Sequence, residues 1–535
     1  MSFQTVDWVV VGIYFLVLLG IAWWSMRQKQ RTTADYFLAS RHIGWFVIGA
    51  SIFASNIGAE HIVGLAGTAA KTGVVMGHYE LHSWLVLVLG WVFVPFYMRS
   101  KVFTMPEFLE LRYSPKARWF LSLITLISYV VTKVCVNVYA GAVVFQVLMG
   151  IDFWTGALFI LIFTGLYTVL GGLRAVVYTE ALQTIVLILG SVTVTIAGLI
   201  KIGGWHNLYS IAGGDHFNLF LPANHPEFPW PGMIFAPPIV GLWYWCTDQY
   251  IVQRALAARD ERQARRGSIF ASWLKLLPFY IFIIPGVMAF ALANAGQLDL
   301  PSADQAFPRM VMALIPTGFK GLVAGGLLAA LMSSLAAVFN SCSTLFTMDI
   351  YKKIRPQTPE NKLVLVGRIA TGVVVVTGVV WIPLMKLISG ELYHYLQSVQ
   401  AYIAPPIAAV FLLGIFYKRI NAKGAMTTLV AGFSIGMIRL VAELNKGALT
   451  GWLHWFATVN FLYFCIFSFL GCVAVLIAVS LLTAKPSYER IQGLTYGTTV
   501  AADKAASRAS WGYKEVLLSL VVLAVVAFTL IYFTG

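Results

Sequence analysis

Charge is what this sequence has least of. Asp, Glu, Lys and Arg make up 11% of its 535 residues, against 59% hydrophobic residues, and the mean hydropathy is +0.80. A soluble domain carries about 25% charged residues, so a string of soluble domains is excluded. Cysteine is also scarce. Cys135, Cys246, Cys342, Cys465 and Cys472 all fall inside apolar runs, which leaves them as small core hydrophobes and not as disulfides or zinc ligands. No Gly-Lys dipeptide occurs, so the phosphate-binding loop of a nucleotide-driven pump is missing. No nucleophile–base set or metal cluster is placed well enough to suggest a membrane enzyme. The first apolar run, 7–26, lacks a basic leader and a small-residue cleavage site, and is expected to stay as a helix and not to be removed as a signal peptide.

What is present is a succession of apolar runs of about 20 residues, each long enough to span a bilayer. The chain is therefore expected to be an all-α polytopic membrane protein, one integrated bundle with about fourteen spans. They fall at 7–26, 44–67, 79–99, 119–147, 153–171, 176–200, 230–253, 270–294, 315–347, 364–388, 393–417, 424–442, 453–483 and 514–534. The net charge of +15 fits this reading better than nucleic-acid binding. Most basic residues crowd into alternate connections, among them Arg27 and Arg31, Arg99 and Lys101, Arg262 and Arg265, Lys352 and Lys353, Lys418 and Arg419. The bias puts those connections in the cytoplasm and both termini outside. The polar stretch 484–513, rich in Ala, Ser, Thr and Gly, reads as a flexible cytoplasmic linker.

Two spans are interrupted. The second contains "ASNIGAEH", with a break expected at Asn56-Ile57-Gly58. The seventh contains "FAPPIVGLWYWCTDQ", with Pro237 and Pro238 near mid-depth, where proline removes a backbone donor. Five spans separate the two, the spacing of two five-helix inverted repeats that each open on a discontinuous helix and bind substrate and coupling ion there. Unrelated packing kinks would look the same.

Ionisable residues at membrane depth are costly and functional by default. Glu80, Lys275, His61 and Gln397 together offer donors and acceptors to a neutral polyol, and Tyr244 and Trp245 offer flat faces for the C–H face of a sugar ring. Taken singly, Lys275 also fits a structural ion pair with a carboxylate, and His61 a satisfied core histidine. Ser333 and Ser334 are adjacent hydroxyls in "LMSSLAAVFNS". Hard oxygens suit an alkali cation, although membrane serines also bond their own helix backbone.

At these motifs the sequence resembles the sodium/glucose cotransporters of the sodium:solute symporter family. "GASIFASNIGAEHIVGLAG", "LGWVFVPFYMRSKVFTMPEFLELRY", "YTVLGGLRAVVYTEALQT", "LWYWCTDQYIVQRALA" and "LMSSLAAVFNSCSTLFTMDIY" match in family order over nearly the whole chain. The resemblance implies a LeuT-type core of two inverted five-helix repeats, 44–200 and 230–417, joined by an extracellular loop, 201–229. Residues 1–43 hold the extracellular N-terminus, the extra first helix and a cytoplasmic loop. Residues 418–483 hold two further helices, and 514–535 the last helix.

By match, a sodium site is implied at Ala54, Ile57, Ala330, Ser333 and Ser334. A sugar site is implied at Asn56, His61, Glu80, Trp245, Lys275 and Gln397, with Tyr244 as the inner gate. Glu180, Ala336 and Ala337 stand where a second sodium site needs Asp and hydroxyls, so one sodium per substrate is expected. His394 and Gln400 stand where glucose-transporting relatives often have Asp and Thr, which leaves open whether the substrate is a hexose, myo-inositol or another polyol. Alternating access in the plasma or inner membrane is implied, with the lipid bilayer, sodium and the sugar as the only partners in view. A sodium-linked sugar sensor or channel on the same fold is the rival. The orientation of Glu60 is not readable.

Overall fold

The computed structural model describes the chain over residues 3–27, 31–58, 60–385 and 392–535, with the side chains of Met26, Glu60, Val131, Val143 and residues 381–395 outside the described set. Glu60 and His394 therefore lie beyond it. Among the described residues the architecture is helical throughout. Two isolated bridges, Ile43 with Ala258 and Asn218 with Thr534, are the β pairing among the described residues. In hydrocarbon every backbone polar group must be satisfied within its own segment, which selects helices for these apolar runs.

Eleven helical stretches are long and apolar enough to cross a membrane among the described residues. Three of the expected fourteen do not stand alone. The second half of the broken second span runs on into the third as His61–Ser100, and the fifth and sixth run together as Phe153–Ile202. The seventh, Trp230–Cys246, has 17 residues.

The first helix is α1 (Thr5–Met26). Next comes α2 (Trp45–Asn56), which stops at Ile57, where ψ turns to 100°. The chain resumes as a π-helical segment, Glu60–Leu65, and then α3 (Ala66–Thr72). The long α4 (Phe153–Ile202) is bent at Gly172, whose φ of 57° no residue with a Cβ adopts easily; a Cβ there would also lie 2.7 Å from the Tyr36 carbonyl oxygen.

The second discontinuous helix departs from expectation. Pro237 and Pro238 lie inside α5 (Trp230–Cys246), which runs through them. The chain breaks later, at Thr247 and the extended Asp248, before α6 (Gln249–Leu256). Proline costs a helix one backbone donor, and here that does not stop the helix. The break falls where Asp248 is held by side chains from another helix.

The remaining elements that frame the site are α7 (Glu261–Leu274), α8 (Phe319–Thr344), α9 (Leu392–Phe416) and α10 (Tyr513–Tyr532). Small residues let them approach closely, as membrane helices require. A Cβ on Gly49 of α2 would meet the Gly267 carbonyl of α7 at 2.7 Å. Near its N-terminus α1 is keyed to α8, whose first N–H groups at Gly318 and Gly321 donate to Asp7 Oδ1 at 2.7 and 3.0 Å. An acidic cap at a helix N-terminus satisfies its orphan donors.

The 484–513 segment is not a loose tether. It folds into two short helices, Tyr488–Ile491 and Ala501–Ala509. Ser507 Oγ donates to Glu261 at 2.6 Å, and Arg99 donates to the Gly493 carbonyl at 3.5 Å. The segment docks onto the ends of other helices near Glu261 and Arg99, a contact that local composition does not reveal.

Candidate substrate and sodium sites

The break after α2 puts Asn56 at a helix end, free to point away from the α2 axis. Its amide oxygen accepts from Lys275 Nζ at 2.9 Å, and its amide N–H donates to the Tyr244 hydroxyl at 3.2 Å. Lys275 ends α7, and its ammonium also reaches Glu80 Oε2 at 2.6 Å. His61 Nε2 lies 3.4 Å from the other Glu80 oxygen. Glu80 is 1% exposed and Lys275 3%. A buried charge persists only when paired and hydrogen-bonded, and these two satisfy each other, so the pair carries no net charge. Lys275 thus stands in the ion pair with a carboxylate that its sequence position allowed.

This network forms one wall of a cavity of about 50 Å³. Trp245 closes it with its ring 5.4 Å from Lys275 Nζ and at right angles to Tyr244, centroids 5.0 Å apart. Gln397 and Gln400 of α9 also line it. Gln397 Oε1 has no hydrogen-bond partner among the described residues, which leaves an acceptor available to a ligand. All seven residues expected to touch substrate, Asn56, His61, Glu80, Tyr244, Trp245, Lys275 and Gln397, line this one cavity.

Tyr79, His82, Val240, Gly241 and Leu396 line it as well and were not anticipated. His82 carried the same signal as His61, an ionisable side chain at membrane depth. The small Val240 and Gly241 carried none.

On the other side of the same break, the Ser334 hydroxyl of α8 lies 3.1 Å from the Ser55 carbonyl and 3.2 Å from the Ile57 carbonyl. Ile57 was expected here; the Ser55 carbonyl, not anticipated, meets the same hydroxyl. Ser333 Oγ is buried with no partner among the described residues. Ala330 lies one turn earlier on α8, also buried. The arrangement offers two hydroxyls and the loosened carbonyls of a helix end.

Glu180 is spoken for. Arg254 Nη2 donates to it at 2.9 Å, Ser55 Oγ at 3.0 Å, and Ser51 Oγ to its second oxygen. Ala336 and Ala337, beside it in the matched pattern, carry no hydroxyl.

These features agree with what the chain is similar to. The model of the sodium:solute symporter family matches residues 36–432. The chain belongs to that family. It is a multi-pass membrane symporter that moves a solute with sodium. Similar relatives include sodium/glucose cotransporter 1 of Oryctolagus cuniculus, 39% identical over 520 residues, covering 89% of this chain and 78% of the relative. Sodium/myo-inositol cotransporter 2 of Mus musculus is 37% identical over 542 residues, covering 93% and 80%. A solved structure of a substrate-bound, outward-open Na+-coupled sialic acid symporter shares the fold at a TM-score of 0.78 and 22% identity, covering 91% of this chain and 99% of that one. The symporter thus has the LeuT-type arrangement of two inverted five-helix repeats.

Proposed function

We propose that this symporter imports a neutral sugar or polyol, one sodium ion per substrate, by alternating access. The observation that carries the reading is the double use of one helix break. Asn56, the last residue of α2, sits in the polar cavity, while the Ser55 and Ile57 carbonyls on either side of it meet Ser334. An ion held by Ser333, Ser334, Ala330 and the carbonyls of the break fixes the same residues that present Asn56 and His61 to substrate. The paired charges of Glu80 and Lys275 leave the cavity neutral while exposing several donors and acceptors, the chemistry a hydroxylated, uncharged ring requires. Trp245 supplies the flat face, and Tyr244, bonded to Asn56, closes the path below.

Sodium binds first from outside and orders the break against α8; substrate follows; release inside is favoured by low sodium and by a membrane potential worth about 2.3 kcal/mol per charge per 100 mV. Coupling is reciprocal, each ligand tightening the other by the same factor. The pairing of Glu180 with Arg254 supports a single sodium. The alternating basic loops support both termini outside the plasma or inner membrane, and repeats spanning 44–200 and 230–417. The names of the relatives support glucose-like hexoses, and Gln400 in the cavity wall keeps myo-inositol or another polyol as the second reading.

Uptake of labelled hexoses and polyols into proteoliposomes tests this. Accumulation above equilibrium that needs inward sodium is expected; uptake unchanged when choline replaces sodium would overturn it. Substrate-gated current without accumulation would mark a sensor or channel.

A further inference from the structure

Three side chains on α8 and its π-helical continuation, Leu345–Tyr351, are buried without a hydrogen-bond partner among the described residues. They are Ser333 Oγ, both polar atoms of Asn340, and Thr347 Oγ1. Their residues are 0%, 1% and 0% exposed. Asn340 follows Ser333 by two turns of continuous helix, which places it on the same face about 10 Å further along. Between them on that face stand Ala336 and Ala337.

An amide buried with neither its donor nor its acceptor used is costly. It points to something that visits it. α6 packs against this stretch of α8. Gln253 donates to Thr344 Oγ1 at 2.8 Å and accepts from Ser341 Oγ at 3.1 Å, so the neighbouring hydroxyls of α8 are engaged and Asn340 is not. The cations in this region are already neutralised, Arg254 by Glu180 at 2.9 Å and Lys133 by Asp248 at 2.5 Å. They neither repel a passing cation as bare charges nor leave a free carboxylate to trap it.

We propose that Asn340 is a transient sodium ligand on the route from the site at Ser333 and Ser334 to the cytoplasm along this face of α8. The inference rests on the sodium reading of that serine pair and on the orientation that places Lys352 and Lys353 inside. The amide oxygen is a hard, neutral donor, suited to sodium. A single such ligand holds the ion weakly, as passage demands.

The test uses the full-length protein in proteoliposomes with Asn340→Leu, Asn340→Ala and Asn340→Ser. Leu and Ala remove both polar atoms, while Ser keeps an oxygen. In Asn340→Leu and Asn340→Ala the maximal rate of sodium-driven uptake is expected to fall about five- to tenfold, the weight of one neutral polar ligand. Efflux driven by internal sodium should fall by the same factor. The final accumulation ratio should not change, because a station on the path alters rates and not the end states, and the half-saturating external sodium concentration should not rise, because the binding site itself is intact. Asn340→Ser should restore the rate.

Parent-like rates in both Leu and Ala variants would overturn the proposal. So would a raised external half-saturation, or a loss in folded protein that Ser does not rescue. Ser333→Ala reads the underlying sodium site separately, through external half-saturation. If that stays unchanged, the sodium reading fails whatever Asn340 does.

Discussion

Lys133 Nζ lies 2.5 Å from Asp248 Oδ2, and Asp248 is the residue at which the second discontinuous helix is interrupted. The Tyr129 hydroxyl bonds the other carboxylate oxygen. The rings of Tyr250, Tyr129 and Tyr244 surround the ammonium at 4.0, 4.6 and 4.9 Å. The pair ties the break to the residue proposed as the inner gate. Removing one partner strands a buried charge, so Lys133→Met should destabilise by about 3–5 kcal/mol. Lys133→Met with Asp248→Asn should recover much of that loss. The unfolding midpoint in detergent decides; equal midpoints for the single and double variants would count against the pair.

Glu80→Gln removes the carboxylate charge that Lys275 and His61 both face. Substrate uptake is expected to drop at least about a hundredfold, since a site whose buried polar groups are mispaired rejects its ligand strongly. Sodium should still raise the melting temperature of this variant by mass action, because the serine site is separate. Loss of the sodium-induced shift would mean that the two sites are not separable.

Ser333→Ala and Ser334→Ala should differ. Ser334 bonds two carbonyls of the break, so its loss should cost about 0.5–1.5 kcal/mol of stability as well as sodium affinity. Ser333 has no protein partner among the described residues, so its loss should weaken sodium dependence with little change in stability without sodium. Thermal melts at varied sodium resolve the two effects.

Gly241→Ala probes cavity size. Its Cβ would fall 2.4 Å from Leu85 Cδ1 and 2.8 Å from His82 Nδ1. Leu85 can swing away at its tip, but His82 must move toward the cavity. Half-saturation for substrate is expected to rise about three- to tenfold, within the span of a methylene-sized misfit. An unchanged value across a panel of sugars would show that His82 is not part of the pocket wall substrate touches.

Much of the candidate site was legible beforehand because membrane depth makes polarity conspicuous. Glu80, Lys275, His61 and Gln397 stand out against apolar neighbours, and all line one cavity. Lys133, Asp248 and His82 carried the same signal and were passed over, because each becomes meaningful only beside its partner. Gly241 carried none, since a glycine in a membrane helix is ordinary until the atom its Cβ would strike is known. The prolines misled. Pro237 and Pro238 are a local statement about one lost donor each, and α5 absorbs them.

Sequence alone determined the class of object and the chemistry available: apolar runs of spanning length, basic loops on alternate connections, two interruptable helices, and a short list of buried polar groups. These are local properties, set by composition and by the exclusion of unpaired backbone from hydrocarbon. Which groups meet was decided by the tertiary structure. Lys275 and Glu80 are 195 positions apart in the chain and Ser334 and Ile57 are 277 apart. Only the packing of the helix Gly77–Glu80 on the end of α7, and of α8 on the end of α2, brings them within bonding distance. The exact point of the second break, the contact of Ser334 with the Ser55 carbonyl, and the pairing of Glu180 with Arg254 all followed from contacts across helices, to which no local pattern in the chain corresponds.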